Sequence, residues 1–289
     1  MPTRIIIAVA LLLSEAGYCG ALAQEHPAPH AEINTVLMQS TFLIYGPKAG
    51  AEKDQISFGT VFLMGKPIPD DQSREYYVLI SAAHVFNEIT GDTATIILRE
   101  KHEDGSYTPR PWAVKLRDNS APLFVRHKDA DVDVAALYVD MPDDLSIPIL
   151  PTGLLATDDV LQKFEIHPGD ELLCLGFPLF LSSESNFPIL RSGKIASYPV
   201  VPTSTYKQMY FDFRVFEGNS GGPVYFADHD RIYGGSAHLG ETEQFVVGLV
   251  TSQLGSKPYN GQLVELASVV PANYIRQTIE LLPATSPYK

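Results

Sequence analysis

The sequence contains few cysteines: Cys19 and Cys174 are the two among 289 residues. A chain with so few cannot be held together by a framework of disulfides, so its stability has to come from a hydrophobic core. An apolar fraction of 45% is sufficient for such a core in a chain of this length. We expect Cys174, which lies in the apolar run LLCLGF, to be part of that core.

Basic residues are also scarce. The chain has 21 Lys and Arg against 34 Asp and Glu, which gives a net charge of −13. A general nucleic-acid binder would show a basic surface, so nucleic acid is not expected as a partner. The eight histidines show no metal-ligand spacing such as H-E-x-x-H, and no glycine-rich phosphate loop is present. We therefore expect neither a metal nor a cofactor.

Long hydrophobic runs are absent as well. The run Ile5–Leu13 is far shorter than the ~20 apolar residues that span a bilayer. It follows Arg4 and precedes the small-x-small exit Ala21–Ala23, a pattern typical of a secretory signal peptide rather than of a buried N-terminal strand. Residues 1–23 are thus predicted to be a signal peptide and residues 24–33 a flexible lead-in. The protein is expected in the periplasm or outside the cell, with no membrane span after cleavage.

Helical periodicity is rare, and β-strand patterns are common. Short runs rich in Val, Ile, Phe, Tyr and Thr recur along the chain, separated by clusters of Gly, Pro, Asp and Asn. Such a pattern predicts an all-β barrel or sandwich rather than a parallel α/β sheet. One helix is predicted near the end, after Pro271, with Ile275, Ile279 and Leu282 on one face. Residues 141–168 could join two β halves.

Residues 217–223 read EGNSGGP, so Ser220 lies on a stretch of almost bare backbone. The stretch fits the nucleophile elbow G-x-S-x-G of α/β hydrolases and also resembles the GNSGGP loop of trypsin-like serine proteases. An elbow requires a helix directly after the serine. Here Pro223 is followed by Val-Tyr-Phe, which favours a strand. The trypsin-like interpretation is therefore favoured, and it requires a histidine and then an aspartate upstream.

Both partners can be found upstream. His84 ends the strand-like run YYVLISAAH, where two alanines leave room around the imidazole. In the segment KDADVDVAAL, Asp133 shares a strand face with Ala135 and is the aspartate expected to be most buried. A buried carboxylate without a partner costs several kcal/mol, so Asp133 is predicted to have one. Asp131 lies on the same face but nearer the start of the strand, and it is the alternative candidate for the partner of His84.

SAAHV, DVAAL and GNSGGP, in that order, resemble the chymotrypsin/trypsin fold of serine proteases in its disulfide-poor bacterial form. The resemblance covers residues 34–283 and leaves residues 284–289 as a tail. It implies an all-β fold of two six-stranded antiparallel β-barrels, with a junction near residues 141–168 and a C-terminal α-helix. It also implies a single protease domain without an appended peptide-binding module.

The resemblance further implies the chemistry. Ser220 would be the nucleophile, His84 the general base and Asp133 the group that orients His84, with the N–H groups of Gly218 and Ser220 forming an oxyanion hole. The expected activity is that of a serine endopeptidase acting on protein or peptide substrates through an acyl-enzyme. Two alternatives are an esterase with the same triad and a protease-fold binding or scaffold protein with latent or lost catalysis.

Two positions near the serine bear on activation and specificity. Many family members carry aspartate directly before the serine, where it pairs with a newly freed N-terminus; this chain has Asn219. The resemblance therefore does not imply activation by that salt bridge, and a preformed site is expected. Arg214, six positions before Ser220, would favour an acidic substrate residue if it lined the specificity pocket. The alternative, which we favour, is a surface arginine on a strand.

Overall fold

The computed structural model describes residues 32–48, 50, 55–254 and 265–288. The predicted signal peptide of residues 1–23 and most of the lead-in lie outside the described residues. The four described α-helices are α1 (Ile33–Ser40), α2 (Ala83–Glu88), α3 (Asp158–Lys163) and α4 (Ala272–Glu280), and two short 3-10 helices lie at Thr152–Leu154 and Pro178–Phe180. The described strands are β1 (Thr41–Pro47), β2 (Ile56–Ile68), β3 (Asp71–Ser81), β4 (Thr93–Lys101), β5 (Tyr107–Lys115), β6 (Arg117–Asp118), β7 (Ala121–Pro122), β8 (Val125–Arg126), β9 (Ala135–Tyr138), β10 (Leu150–Pro151), β11 (Glu171–Gly176), β12 (Ile189–Lys194), β13 (Met209–Phe211), β14 (Pro223–Tyr233), β15 (Ser236–Leu254) and β16 (Leu266–Pro271).

The first sheet carries the N-terminal half of the fold. Its strand order is β5-β4-β1-β2-β3-β9-β8, and β10 pairs with β2 in parallel. The predominance of strands is confirmed, but this sheet has eight strands instead of the six expected. Two of them, β8 and β10, are two residues long, and strands so short leave no periodic signal in a sequence.

The second sheet has six antiparallel strands in the order β12-β11-β14-β15-β16-β13. An isolated antiparallel bridge joins Ile195, directly after β12, to Phe211 of β13. The two ends of this sheet therefore approach each other, as in a barrel. The arrangement of the whole fold as two closed barrels stays a prediction.

The core contains the residues that the sequence places there. Cys174 is fully buried, and burial raises the pKa of its thiol to about 12, so the thiol stays protonated. The C-terminal helix is confirmed as α4, and Ile275, Ile279 and Leu282 are buried. Within the described part of the chain, no helix combines the length and apolarity that crossing a membrane requires.

Helix α1 begins inside the segment expected to be a flexible lead-in. Its N-cap is Glu32, whose carboxylate accepts hydrogen bonds from the N–H groups of Asn34 and Thr35. Ile33, Val36 and Leu37 are buried at helical spacing. The sequence carried this signal, but an eight-residue helix with one apolar stripe is hard to separate from a strand.

The predicted junction contacts both sheets. Within residues 141–168, β10 pairs with β2 of the first sheet. A few residues later, Leu155 forms a bridge with Val246 of β15 in the second sheet. This geometry is what a connection between two β halves requires, although the domain boundaries themselves stay a prediction.

Candidate active site

His84 is positioned by the end of β3. After Ser81 the chain passes through the buried Ala82 and Ala83 and turns into α2, in which His84 is the second residue. The sequence placed His84 at the end of a strand, and the structure adds this short helix. Because α2 begins here, the backbone N–H of His84 points out of the first helical turn and is available to a side chain.

Asp133 forms hydrogen bonds with both this backbone N–H and the imidazole of His84. The backbone N–H of His84 donates to Oδ1 of Asp133 at 3.0 Å, and Nδ1 of the ring lies 2.5 Å from Oδ2. Strand β9 pairs with β3 so that Ala135 lies opposite Ser81, and this register brings Asp133 to His84. Both oxygens of one carboxylate therefore hold the histidine at two points.

Asp131 has a different environment. Its side chain is 82% exposed and lies 3.5 Å from Lys207, whereas the side chain of Asp133 is 34% exposed. Asp133, not Asp131, is thus the aspartate that contacts His84. The carboxylate is only partly buried, which is less than the strand alternation predicted, because β9 begins two residues later at Ala135.

The contact shifts the pKa values of both partners. Burial alone would lower the pKa of His84, but the hydrogen bond and the negative charge of Asp133 outweigh burial and raise it. Burial alone would raise the pKa of Asp133, but the bonds from His84 outweigh burial and lower it. The pair therefore favours a negative Asp133 and makes His84 easier to protonate.

Ser220 lines the same cleft as His84 and Asp133. The cleft has a volume of about 410 Å³, and its other lining residues are Val215, Phe216, Glu217, Thr251 and Ser252. The Ser220 hydroxyl donates to the carbonyl oxygen of Thr251 in β15 at 3.0 Å. Among the described residues no hydrogen bond joins Ser220 to His84, so the structure brings the three residues to one cleft with the serine turned toward β15.

The backbone before Ser220 forms a tight turn. The N–H of Asn219 donates to the carbonyl of Phe216 at 3.1 Å, and Gly218 has a φ of 95°. The carbonyl of Glu217 accepts from the N–H of Leu179 at 2.7 Å. Because a trans peptide is planar, this bond directs the N–H of Gly218 to the opposite side. In the described part of the chain, the N–H groups of Gly218 and Ser220 have no acceptor.

Steric contacts explain the bare backbone. A Cβ on Gly218 would lie 2.2 Å from the carbonyl oxygen of Phe177. Gly221 has a φ of 87°, and a Cβ there would lie 2.1 Å from both Ser81 Oγ and the carbonyl oxygen of Thr60. The glycines are required because two neighbouring segments pack directly against the turn.

Asn219 stabilises the turn through hydrogen bonds with Phe216. Its side chain is fully buried, and Oδ1 accepts the N–H of Phe216 at 3.1 Å. Its Nδ2 is buried and has no partner among the described residues. The side chain and backbone of Asn219 thus bind both polar groups of Phe216, so no charge from a freed N-terminus is needed to order the turn.

Arg214 lies outside the cleft. Its half-exposed side chain pairs with Glu265 at 3.3 Å, and its guanidinium lies 4.9 Å from the centre of the Phe216 ring. Phe216, not Arg214, lines the cleft. The surface position agrees with the surface-arginine interpretation and gives no support to an acidic specificity pocket. The predicted strand at this residue is wrong, because β13 ends at Phe211.

Among the residues that the structure describes, no group of three or more His, Cys, Asp or Glu side chains could hold a metal ion. The expectation that the protein uses no cofactor stays a prediction.

Comparison with known proteins gives likenesses among solved structures. No protein-family model matches the chain, and no curated protein matches it by sequence. Among solved structures, the chain is similar to the crystal structure of the serine endoprotease from Yersinia pestis, with 17% identity over 89% of this chain and 68% of that chain and a TM-score of 0.47. At this level of similarity, the functional assignment depends on the geometry of the site.

Proposed function

We propose that this protein is an exported serine endopeptidase that hydrolyses peptide bonds through His84, Asp133 and Ser220 and an acyl-enzyme intermediate. The observation that carries the proposal is the two-point contact of Asp133 with His84 in the same cleft as Ser220. Its substrates are proteins or peptides. Export to the periplasm or beyond is proposed from the sequence of residues 1–23 alone.

The first step of the mechanism is activation of the serine. A serine hydroxyl is a weak nucleophile at neutral pH unless a base takes its proton. Asp133 holds the proton of His84 on Nδ1 and leaves Nε2 as the acceptor. Rotation of the Ser220 side chain exchanges the hydrogen bond to Thr251 for one to Nε2 of His84. This rotation is a change between staggered rotamers of the Ser220 side chain.

The next steps transfer the acyl group. Oγ of Ser220 attacks the carbonyl carbon of the peptide as its proton passes to Nε2 of His84. The imidazolium then protonates the leaving amine as the C–N bond breaks. A water molecule next attacks the acyl carbon as its proton passes to His84. The bond from that carbon to Oγ of Ser220 then breaks as His84 returns the proton to Oγ, which releases the acid product. Asp133 stabilises the imidazolium in each step, which agrees with the raised pKa of His84.

The oxyanion of each tetrahedral intermediate needs hydrogen-bond donors. The N–H groups of Gly218 and Ser220 are uncommitted in the described structure, and we assign this role to them. A pair of such donors acts without reorganisation, and losing one typically costs a factor of about 10²–10³ in turnover. Because Asn219 orders the turn internally, the oxyanion site is preformed and does not wait for proteolytic activation.

We expect the activity to rise with pH to a plateau, because only neutral His84 can accept the serine proton. The midpoint should lie above the ordinary histidine value of about 6.5, since Asp133 raises the pKa of His84. The measurement is the rate constant of labelling by a fluorophosphonate as a function of pH. In an NMR titration of the Asp133→Asn variant, the His84 midpoint should fall below that of the wild type. A wild-type midpoint at or below 6.5 would contradict this role for Asp133.

A panel of peptide and ester substrates distinguishes the proposal from its alternatives, with the Ser220→Ala variant as the blank. Cleavage of internal peptide bonds by the wild type alone supports the endopeptidase. Hydrolysis of esters without peptide cleavage would indicate an esterase. A folded wild type that hydrolyses neither would favour a binding or scaffold protein, in which the Ser220–Thr251 hydrogen bond is the permanent state of the serine.

A further inference from the structure

One residue of the first sheet, Thr60, makes hydrogen bonds to the turn that contains Ser220 (the serine turn), at the carbonyl of Gly218 and at the carbonyl of Ser220. The pairing of β3 with β2 ends at Ile80 and Phe62, where β3 turns away toward α2. This leaves an open edge of β2 at Thr60, which is paired on its other side with Leu43 of β1. The turn that contains Ser220 packs against this open edge.

Thr60 uses its backbone and its side chain there. Its N–H donates to the carbonyl of Ser220 at 2.9 Å, and its carbonyl accepts from Oγ of Ser81 at 2.7 Å. Its hydroxyl donates to the carbonyl of Gly218 at 2.6 Å and accepts from the N–H of Phe177 at 3.3 Å. Thr60 is fully buried, so water cannot replace these bonds.

We infer that the Thr60 hydroxyl is a positioning group for the oxyanion site. The carbonyl of Gly218 belongs to the peptide that joins Gly218 to Asn219, between the two N–H groups assigned to the oxyanion. A bond of 2.6 Å to that carbonyl fixes the orientation of the peptide and hence of the N–H groups on either side. The inference rests on the proposed function and adds a residue that the sequence does not single out.

The backbone bond from Thr60 to Ser220 needs no particular side chain, whereas the bond to Gly218 requires a hydroxyl. Valine has the shape of threonine but no hydroxyl, so Thr60→Val removes the bond to Gly218 together with the longer bond from the N–H of Phe177. Without the hydroxyl the Gly218 carbonyl is buried and unpaired, and its peptide gains freedom to rotate away from the productive orientation. Serine at this position keeps the donor and loses only a methyl group.

The chain offers a matched control. Thr41 in β1 is also fully buried in the first sheet, and its hydroxyl has no partner among the described residues. Thr41→Val therefore makes the same chemical change in a buried strand without removing a hydrogen bond. The comparison of Thr60→Val with Thr41→Val isolates the loss of the hydrogen bonds that the Thr60 hydroxyl makes with Gly218 and Phe177.

The test is the second-order rate constant for labelling by a fluorophosphonate, whose phosphonyl oxygen needs the same donors. We expect Thr60→Val to lower it roughly tenfold to a hundredfold, somewhat less than the loss of a whole donor. Thr60→Ser and Thr41→Val should stay within about threefold of the wild type, because both leave the bond to Gly218 intact. The pH midpoint should stay unchanged in Thr60→Val, since the hydroxyl acts on the oxyanion donors and not on His84.

Three results would overturn the inference. They are equal rates for Thr60→Val and Thr41→Val, a loss in Thr60→Ser as large as that in Thr60→Val, or a shifted pH midpoint in Thr60→Val. If Thr60→Val does not fold, Thr60→Ala and Thr60→Ser form a second pair that differs by the hydroxyl, and equal rates for these two would also overturn it. Failure of the proposed function is distinct, because then the wild type itself is not labelled.

Discussion

Replacing Asp133 by asparagine is expected to lower kcat about 10⁴-fold with little change in KM. The amide can still accept the backbone N–H of His84, so the geometry of α2 is kept. Its NH₂ group, however, donates to Nδ1 of the ring and moves the imidazole proton to Nε2. In that tautomer Nε2 cannot accept the proton of Ser220, and the imidazolium loses its negative partner. Steady-state kinetics on a peptide substrate from the panel measures the effect.

The neighbouring aspartate provides the control for this prediction. Asp131 is two residues away and highly exposed, and it lies near Lys207 instead of His84. Asp131→Asn removes the same negative charge and should leave kcat within about twofold of the wild-type value, since exposed ion pairs contribute little to the stability of the fold. A loss of activity in Asp131→Asn equal to that in Asp133→Asn would contradict the assignment of the orienting carboxylate to Asp133.

Replacing Gly218 by alanine is expected to lower kcat by about 10²–10³-fold. The new Cβ would lie 2.2 Å from the carbonyl oxygen of Phe177, a backbone atom that cannot move away as a flexible side chain would. The turn must shift, and the N–H of Gly218 moves with it. Because the account assigns this N–H to the oxyanion, binding of a peptide aldehyde, which forms a tetrahedral adduct, should weaken by a similar factor.

A Gly169→Ala variant separates the clash of a new Cβ with its neighbours from the backbone strain of alanine at a positive φ. Its φ of 96° is nearly that of Gly218, but a Cβ there would meet no heavy atom within 4 Å. Gly169→Ala therefore carries the same backbone strain without the clash and should change thermal stability slightly and kcat by less than about twofold. If Gly218→Ala behaves like Gly169→Ala in both measurements, the oxyanion site does not depend on this turn.

The parts of the site that are local in sequence could be predicted. Ser220 was located from the glycines around it, and His84 from the small residues that precede it at the end of a strand. Asp133 followed from strand alternation and the free-energy cost of burying a lone carboxylate. The structure brings Asp133 into contact with His84. It also places Asp133 ahead of β9 and leaves the carboxylate a third exposed, so the strand alternation assumed for this residue is wrong.

The parts that depend on long-range packing could not be predicted. The bond from Thr60 to Gly218 joins residues 158 positions apart, and nothing in the run FGTVFL indicates it. The bond from Leu179 to Glu217 likewise depends on how β11 and the serine turn come together. The two-residue strands β8 and β10 form because neighbouring strands offer open edges, not because of their own residues. Asn219 departs from the pattern of the proteins that the sequence resembles, but its hydrogen bonds with Phe216 could not be predicted from the sequence.

The central claim, that this chain activates Ser220, is tested most directly by mapping the site of fluorophosphonate labelling by mass spectrometry. We expect the folded wild type to carry a single phosphonyl group on Ser220 and Ser220→Ala to carry none. His84→Ala, which retains the serine but lacks the base, should also remain unlabelled on the same time scale. A folded wild type without label, or a label of equal yield in Ser220→Ala, would contradict the claim.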